Sequence, residues 1–454
     1  MNKPHSFPWF TTCFFHKSPQ GISRTEMKHR VAGIRSTVSI AVYSKLATVI
    51  ILPAHADDNF WFKDLAERPT LFGGPGSPRE ALTAAGIDVN AWLTQTYQGV
   101  IDGDGTHDWQ YGGKFTATVN VDGESFGTWP GLGLGVIYEK SYGEDANSQD
   151  DGTLLPTNSI MAFPRLGGYD QDLSVNISQR FGENFTLSVG KFNLLHLVAK
   201  TPLVGGGGEE TFLNAAMAGP ITGVVPPYLV GAIANIHTEQ VDYTIMVYDP
   251  RSAQNWDVVT HPFEDGVSTA LSATVPVSIG GLPGYYGIRG IFSTAEGLDL
   301  SRIPEIAALP AQSESSLTRE GYWYLNASVQ QYLYEDPDQP GKGWGFFAYA
   351  AIADGNPNAI QWTAYGGLAG NSPLPGREMD KWGIGYFRYG LSGDLKDGLE
   401  ALNIEIEDEE GVEAFYNFAV TPWMQVTSDI QWINPFESDK KEAVVGLLRA
   451  RTLF

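Results

Sequence analysis

Nine charged side chains stand at alternate positions of segments whose residues alternate between apolar and polar, and they share the polar face of those segments. Arginine offers five donors in a rigid fork that can span neighbouring hydroxyl groups, and carboxylates accept hydrogen bonds in return. Such a set suits weak, reversible contact with a polyhydroxylated solute, because protein groups replace the hydrogen bonds that the solute loses from water. The candidates for solute contact are Lys114, Asp172, Arg180, Arg289, Arg388, Glu413, Asp429, Arg449 and Arg451.

The same nine residues have a second interpretation. Charges on the wall of a polar interior also form ion-pair ladders, which hold the structure open without touching a solute. The sequence leaves both roles open for each residue. As a set, however, the charges favour a hydrophilic interior over a packed core.

The other residue types with catalytic or metal-binding chemistry show no usable spacing. No nucleophile elbow is present, and the histidines after residue 56 are scattered. Residues 102–108 (DGDGTHD) resemble the start of a calcium loop, but the twelfth position holds Gly113 where a glutamate is required. We therefore predict a plain hairpin loop there, and neither an enzyme nor a resident metal or cofactor. The histidines concerned are His107, His196, His237 and His261.

The elements that position the charged residues are strands rather than helices. The sequence has 52 Gly, 20 Tyr, 23 Phe and 12 Trp with only 18% charged residues, which suits many strands and turns. After residue 56 no stretch has the ~20 apolar residues that a spanning helix needs. Alternating segments recur from about residue 92 to the end. The predicted strands lie near 92–102, 109–122, 129–141, 169–180, 183–194, 229–238, 239–250, 267–280, 284–296, 319–335, 342–354, 357–369, 378–392, 408–420, 422–435 and 442–454.

The connections between these segments mostly alternate between long and short. A soluble β-sandwich would show alternating strands as well, but outer-membrane barrels combine them with short periplasmic turns and long outer loops. We therefore predict an all-β fold, an antiparallel up-and-down transmembrane barrel of about sixteen strands, whose charged face looks into an aqueous lumen. The long connections are 142–168, 195–228, 250–266, 297–318 and 393–407, and the tight ones are 181–182, 238–239, 280–281 and 421–422.

Aromatic side chains stand near many of the predicted strand ends. Amphipathic rings prefer the headgroup level of a membrane, so we predict interfacial girdles, although the core of a soluble β protein uses similar residues. The residues are Trp92, Trp109, Trp129, Trp323, Tyr334, Trp344, Tyr365, Trp382, Trp423 and Trp432.

Residues 1–56 have the features of a secretory signal peptide. Basic residues precede an apolar run at 46–52, and residues 54–56 (AHA) match the small-x-small cleavage pattern. Met27 opens a more ordinary signal than the first residue does. Residues 57–91 are predicted to form a periplasmic segment with a short helix, because Ser77 can cap it, Pro78 stands at its first position and Gly86 follows its end. The barrel domain then spans residues 92–454.

The predicted mature chain is strongly acidic. Removing residues 1–56 removes Cys13, the only cysteine, together with seven basic residues and one acidic residue. The remainder has 22 basic residues (29 less 7) and 51 acidic ones (52 less 1), a net charge of −29. Such acidity disfavours nucleic acid and bulk anion conduction. The acidic run between 405 and 410 is predicted to be a solvated outer loop, with bridging to lipopolysaccharide through divalent cations as the alternative.

Several segments resemble the carbohydrate-selective porin (OprB) family. The strongest are residues 355–358 (GNPN), 366–368 (GGL), 375–386 (PGREMDKWGIGY), 413–417 (EAFYN), 420–427 (VTPWMQVT) and 429–435 (DIQWINP). Residues 82–87 (LTAAGI), 127–131 (GTWPG) and 189–193 (VGKFN) extend the resemblance over nearly all of the predicted mature chain. Their order and spacing are similar to those of the family.

This resemblance implies a sixteen-stranded barrel that admits monosaccharides such as glucose past charged residues, arginines among them, at a narrowed waist. The predicted function is passive, carbohydrate-selective diffusion of small sugars through a Gram-negative outer membrane. Membrane lipid and lipopolysaccharide would surround the barrel, either as a monomer or as a homo-oligomer. A general small-solute porin and a structural or adhesive barrel with a plugged lumen are the alternatives. Residues 196–227 and 393–407 match no family pattern, so we expect these loops to alter the constriction.

Overall fold

Sixteen antiparallel strands form one closed barrel in which the first strand pairs with the last. The computed structural model describes residues 64–148, 151–219, 221–254, 257–308 and 317–454, so the predicted signal peptide and Cys13 lie outside the described residues. The strands are β1 (Ile87–Asp102), β2 (Gln110–Asp122), β3 (Leu132–Gly143), β4 (Gln171–Phe181), β5 (Phe185–Asn193), β6 (Tyr228–His237), β7 (Asp242–Tyr248), β8 (Ser268–Ile279), β9 (Leu282–Leu298), β10 (Thr318–Glu335), β11 (Gly343–Ala353), β12 (Ile360–Asn371), β13 (Lys381–Leu391), β14 (Glu409–Thr421), β15 (Met424–Asn434) and β16 (Ala443–Leu453).

The predicted all-β barrel is confirmed, and each predicted strand overlaps an observed one. β1 begins five residues earlier than predicted, because Ile87 to Ala91 continue the ladder with β2. Adjacent residues of a strand face opposite sides of the barrel wall, as the alternation predicts. On β16, Leu448 is 51% exposed on the outer surface, while the neighbouring Arg449 is 1% exposed on the inner one. A strand of this kind presents one face to each medium.

Helices are few and short in the described residues. None of the described helices is long and apolar enough to cross a membrane. They are α1 (Pro78–Ala84), α2 (Ser159–Ala162), α3 (Leu194–Val198), α4 (Ala215–Ala218), α5 (Asp257–Thr260), α6 (Ile303–Ala308) and α7 (Gly393–Glu400).

The predicted helix before the barrel is α1, and its residues explain its ends. The Ser77 side chain accepts a hydrogen bond from the N–H of Glu80, and proline occupies the first turn. α1 packs on β1. Nη1 of Arg79 donates to the backbone oxygen of Phe454 at 2.9 Å, and Phe72 stacks on the Phe454 ring with centroids 5.8 Å apart. The segment therefore lies at the seam where the first and last strands meet.

Two of the long connections turn back into the barrel instead of standing above it. These are the β3–β4 loop (residues 144–170) and the β5–β6 loop (residues 194–227). Phe212 and Met217 of the β5–β6 loop are almost completely buried in one apolar cluster with Phe347, Phe387 and Phe415 of the wall. This half of the barrel therefore has a packed interior, where apolar inward side chains of the wall meet apolar side chains of the loop.

Candidate functional site

The inward carboxylates of β14 hold both inserted loops by their backbone. Glu413 is fully buried and accepts hydrogen bonds from the N–H groups of Leu213 and Asn214, the latter at 3.1 Å. Glu409 lies four residues earlier on β14, nearer the outer end of the barrel, and accepts hydrogen bonds from the N–H groups of residues 154 and 155. Unpaired buried backbone donors are costly, so these two carboxylates fix the loops in place.

Arg449 acts on the same loop from the neighbouring wall. Its Nη1 and Nη2 atoms each donate to the carbonyl of Thr211 at 3.1 Å, Nη1 also donates to the carbonyl of Gly208, and Nη2 donates to Oγ1 of Thr427 at 3.0 Å. Asp429 is buried beside it and accepts a hydrogen bond from Nε2 of Gln431 at 3.0 Å. The structure therefore places Glu413, Asp429 and Arg449 on the inner wall, as predicted, but beneath the β5–β6 loop.

A second group of charges surrounds a cavity of about 320 Å³, the charged cavity, between the β5–β6 loop and the wall of β16, β1, β2 and β3. Nζ of Lys114 lies 3.1 Å from Oε1 of Glu139, and Nε of Arg451 lies 3.2 Å from Oε2 of Glu209. Glu210 pairs with both Arg451 and Lys381. Lys114 and Arg451 thus face a water-accessible space, where alternating charges offer donors and acceptors side by side.

The loop side of the charged cavity has groups that titrate in opposite directions. Burial, followed by the positive charge of Lys200, lowers the pKa of His196 below its usual 6.5. Burial raises the pKa of Glu209 despite the nearby Arg451. Burial alone would also raise the pKa of Glu210, but Lys381 and Arg451 outweigh it, and the pKa falls. Near neutral pH the histidine is uncharged and Lys200 is the exposed cation of this loop.

A third group lines a cavity of about 300 Å³, the outer cavity, which lies between the β5–β6 loop and the wall of β8 to β12 and reaches the β7–β8 loop. Arg289 lies at mid-height in this wall and donates from Nε to Oγ of Ser272 at 2.8 Å. Among the residues that the structure describes, no carboxylate lies within ion-pair distance of Arg289. Its remaining guanidinium donors are therefore available to the cavity.

The two cavities share the loop residues Leu195 and Thr201, which line both. The β5–β6 loop, one of the two loops for which the sequence shows no family pattern, therefore lines both cavities.

The remaining candidates lie elsewhere. Asp172 is buried in the wall, where it pairs with Nζ of Lys191 at 2.5 Å and accepts a hydrogen bond from the hydroxyl of Ser174. Arg180 has the inward parity of β4 but is exposed next to the turn that follows the strand, with no ion pair among the described residues. Neither lines one of the two cavities.

For Arg388 the predicted inward orientation is wrong. It shares the outer face of β13 with Ile384 and Tyr386, and its guanidinium lies 3.4 Å from Glu410 and 5.7 Å from the centroid of the Trp362 ring. The alternation misled because the inner face of β13 is itself apolar, where Phe387 packs in the loop core. The charged residue therefore takes the outer side near the strand end.

Two predictions about groups of residues also need correction. Trp92 and Tyr365 do not belong to an outer girdle: Trp92 is 8% exposed and stacks on His196 inside the charged cavity, and Tyr365 lines the outer cavity. The acidic run is not uniformly solvated, because Glu409 is fully buried and Asp408 pairs with Lys396. In each case an inserted or neighbouring loop supplies the contacts.

The sequence reasoning missed the polar and aromatic residues of the outer cavity. The rings of Tyr349 and Tyr365 stack with centroids 4.6 Å apart, and the Tyr349 hydroxyl accepts a hydrogen bond from Nδ2 of Asn326 at 2.7 Å. Asn326 lies on the inward face of β10 next to Arg289 of β9, with which it pairs in register. Uncharged inward residues beside a charged one were a usable signal, since they share its face.

One exposed cluster on the β7–β8 loop has the residue types of a metal site. The ligand atoms of Asp257, His261 and Glu264 lie within 4.8 Å of one another. However, Nη1 of Arg251 lies 3.6 Å from Glu264, and Nδ1 of His261 already lies 3.0 Å from Asp257. A guanidinium beside the cluster competes with a cation, so these residues are most simply an exposed ion-pair network.

Comparison with known proteins assigns the chain to a family. The model of the carbohydrate-selective porin, OprB family, matches residues 106–454. The high-pH structure of Pseudomonas putida OprB is similar with a TM-score of 0.73 and 18% identity, covering 86% of this chain and 99% of that one. The low-pH structure of the same protein gives 0.50 and 15% with the same coverage. Curated protein sequences give no match. The chain belongs to the OprB family of carbohydrate-selective porins, and it is a sugar-selective outer-membrane porin.

Proposed function

We propose that the chain passes neutral monosaccharides such as glucose by passive diffusion, through the outer cavity first and the charged cavity second. The family and the fold indicate a channel rather than an enzyme. The observation that carries the proposal is Arg289, which lines the outer cavity beside the hydroxyl and amide groups of Ser272 and Asn326 and has no ion-pair partner among the described residues. Its planar fork suits two neighbouring sugar hydroxyls.

The charge balance of the outer cavity supports a neutral solute. Its lining includes two cationic residues, Arg251 and Arg289, and two acidic ones, Asp265 and Glu296. A cavity without net charge gives no electrostatic advantage to an anion or a cation over a sugar. Its hydrogen-bonding groups then decide which solute enters, since they must replace the water that the solute loses.

The charged cavity offers the second set of contacts. Its cations are mostly paired with carboxylates, as in Lys114 with Glu139 and Arg451 with Glu209. Such pairs place donors and acceptors a few ångströms apart, which matches the spacing of hydroxyl groups on a sugar ring. Contacts of this kind are individually modest, so the solute can leave again.

Liposome swelling with purified protein tests the route. For Arg289→Gln we expect glucose influx to fall about threefold to tenfold, the effect of losing one charge-assisted hydrogen bond. Arg388→Gln is the matched control, because Arg388 faces outward, and it should leave glucose influx unchanged. Equal glucose influx in the wild type and the Arg289 variant, with both barrels folded, would rule out this route.

We also propose that the outward cluster around Arg388 contacts lipopolysaccharide headgroups. Trp362, Tyr386 and Arg388 lie together on the outer face near the extracellular strand ends, and the Tyr386 hydroxyl donates to Glu410 at 2.5 Å. Amphipathic rings beside a cation suit the headgroup level. Added lipopolysaccharide should raise the melting temperature of the wild type by about 2 °C more than that of Arg388→Gln. Equal shifts would contradict this contact.

One chain closes its own barrel, so a monomer suffices for the pore.

A further inference from the structure

The outer cavity has two walls of opposite chemistry. The barrel side presents hydroxyl, amide and guanidinium groups from Ser272, Thr274, Asn326 and Arg289 on β8 to β10, next to the rings of Tyr349 and Tyr365 on β11 and β12. The side formed by the β5–β6 loop presents aliphatic groups, chiefly Val198, Val204, Ile221 and Val225, all of which are half-buried. A solute in this cavity therefore touches a polar surface and an apolar surface at the same time.

The aliphatic side chains of the loop are held in place from behind. Val204 and Ile221 pack on the cluster that contains Phe212 and Met217, and Val225 packs on a separate cluster of the wall. Their remaining surface faces the cavity, which is neither lipid nor protein. Exposing apolar surface to water is unfavourable, and an apolar group of a solute that covers this surface recovers part of that free energy.

Size and charge narrow the occupant further. A volume of about 300 Å³ lies at the lower end of the range for small-molecule pockets, which suits one sugar ring with one small apolar substituent. The two cations and two carboxylates of the lining cancel, so an organic anion gains nothing over a neutral solute. A free sugar, in contrast, would leave the aliphatic wall uncovered.

We propose that the outer cavity binds neutral glycosides with a small aromatic aglycone more tightly than the corresponding simple sugars. The sugar ring lies against Arg289, Asn326 and Thr274, and the aglycone lies against Val198 and Val225. The preference rests on the proposed sugar route, because the sugar ring must enter the same cavity. It concerns the substrate class, since it adds aryl glycosides to the solutes that the channel selects.

Block of single-channel current in planar bilayers tests the preference. The probes are phenyl β-D-glucoside and methyl β-D-glucoside, which share the sugar and differ in the aglycone. In the wild type we expect half-block by the phenyl glucoside at a concentration about threefold lower than by the methyl glucoside. In Val198→Thr/Val225→Thr the shapes are kept and hydroxyls replace methyl groups, so the two concentrations should become equal.

A matched variant on the opposite wall completes the test. Thr274→Val removes one hydroxyl from the barrel side without a change of shape, and it should weaken block by both glucosides about twofold while the phenyl preference stays. Equal block by both glucosides in the wild type would overturn the preference alone. Block by neither glucoside would overturn the sugar route together with the preference. Block by benzoate at the same concentration as by phenyl glucoside would also overturn it, because an anion site would then explain the binding.

Discussion

The two halves of the lumen use inward polar residues in opposite ways. On the side of β13 to β16, which we call the filled half, Glu413 and Arg449 point inward and form hydrogen bonds with backbone groups of the β5–β6 loop. On the side of β8 to β10, which we call the open half, Arg289 and Asn326 point inward into the outer cavity. The same alternation produces both halves. A charged residue on the inner face therefore anchors a loop or lines a cavity, according to whether the backbone of a loop binds it.

The residues that anchor the β5–β6 loop and the residues that line the outer cavity lie on different halves of the barrel. The filled half holds the β5–β6 loop, whose Leu195 and Thr201 line both cavities. The open half supplies the polar residues that line the outer cavity. Loop anchoring and the proposed solute contacts therefore depend on different strands, and we expect a substitution to affect one without the other.

Releasing the loop from the filled half is expected to have the largest effect. In Glu413→Ala the N–H groups of Leu213 and Asn214 lose their buried acceptor, at a cost of about 2 to 3 kcal/mol in the attachment of the loop. We expect single-channel conductance to rise severalfold and the discrimination between glucose and larger sugars to fall. Planar-bilayer recording with sugars of increasing size measures both.

The neighbouring Glu410 provides the control for that experiment. It lies on the outer face of β14, so Glu410→Ala should keep the wild-type conductance. Circular dichroism and heat-dependent mobility of the unboiled protein show whether each barrel is folded. A folded Glu413→Ala barrel with unchanged conductance would mean that the loop is held mainly by its apolar core.

The architecture was predictable from the sequence because its signals are local. Alternation over each strand, the turn residues and the Ser77–Pro78 helix start act within a few residues of the chain. The placement of the inserted loops was not predictable, since residues 194–227 show no period that tells where they pack. The error at Arg388 has the same origin: the loop core makes the inner face of β13 apolar, so polarity no longer marks the inside.

The residues of the candidate site also fall into a predictable group on the strands and an unpredictable group on the loop. The sequence identified Arg289, Lys114 and Arg451 by their face, and these residues line the cavities. It had no means of identifying His196 or the valines of the loop wall, because their role depends on a contact across the barrel. Residues on strands could therefore be predicted, whereas residues on the loop needed the fold.

A smaller effect is expected when the pH changes the charge of the charged cavity. The β5–β6 loop carries His196 on its side towards the charged cavity, and burial and the positive charge of Lys200 lower the pKa of this histidine below 6.5. The histidine is neutral at pH 7 and gains a proton as the pH falls below 6.5, which adds one positive charge to the charged cavity. Glu209, with its raised pKa, loses its negative charge above the usual range of a glutamate and acts in the same direction.

We therefore expect the anion-to-cation permeability ratio to rise about twofold or more as the pH falls from 7, because His196 gains a positive charge and Glu209 loses a negative one in a water-filled pore. His196→Gln should remove the histidine part of this change, and Glu209→Gln should remove the glutamate part. Reversal potentials in a salt gradient measure the ratio at each pH. The effect of Arg289→Gln on glucose influx should not change over the same range, because an arginine stays charged throughout. If the ratio changed equally in the wild type and in both variants, the titrating groups would lie outside the charged cavity, and the loop would not control the charge of the pore.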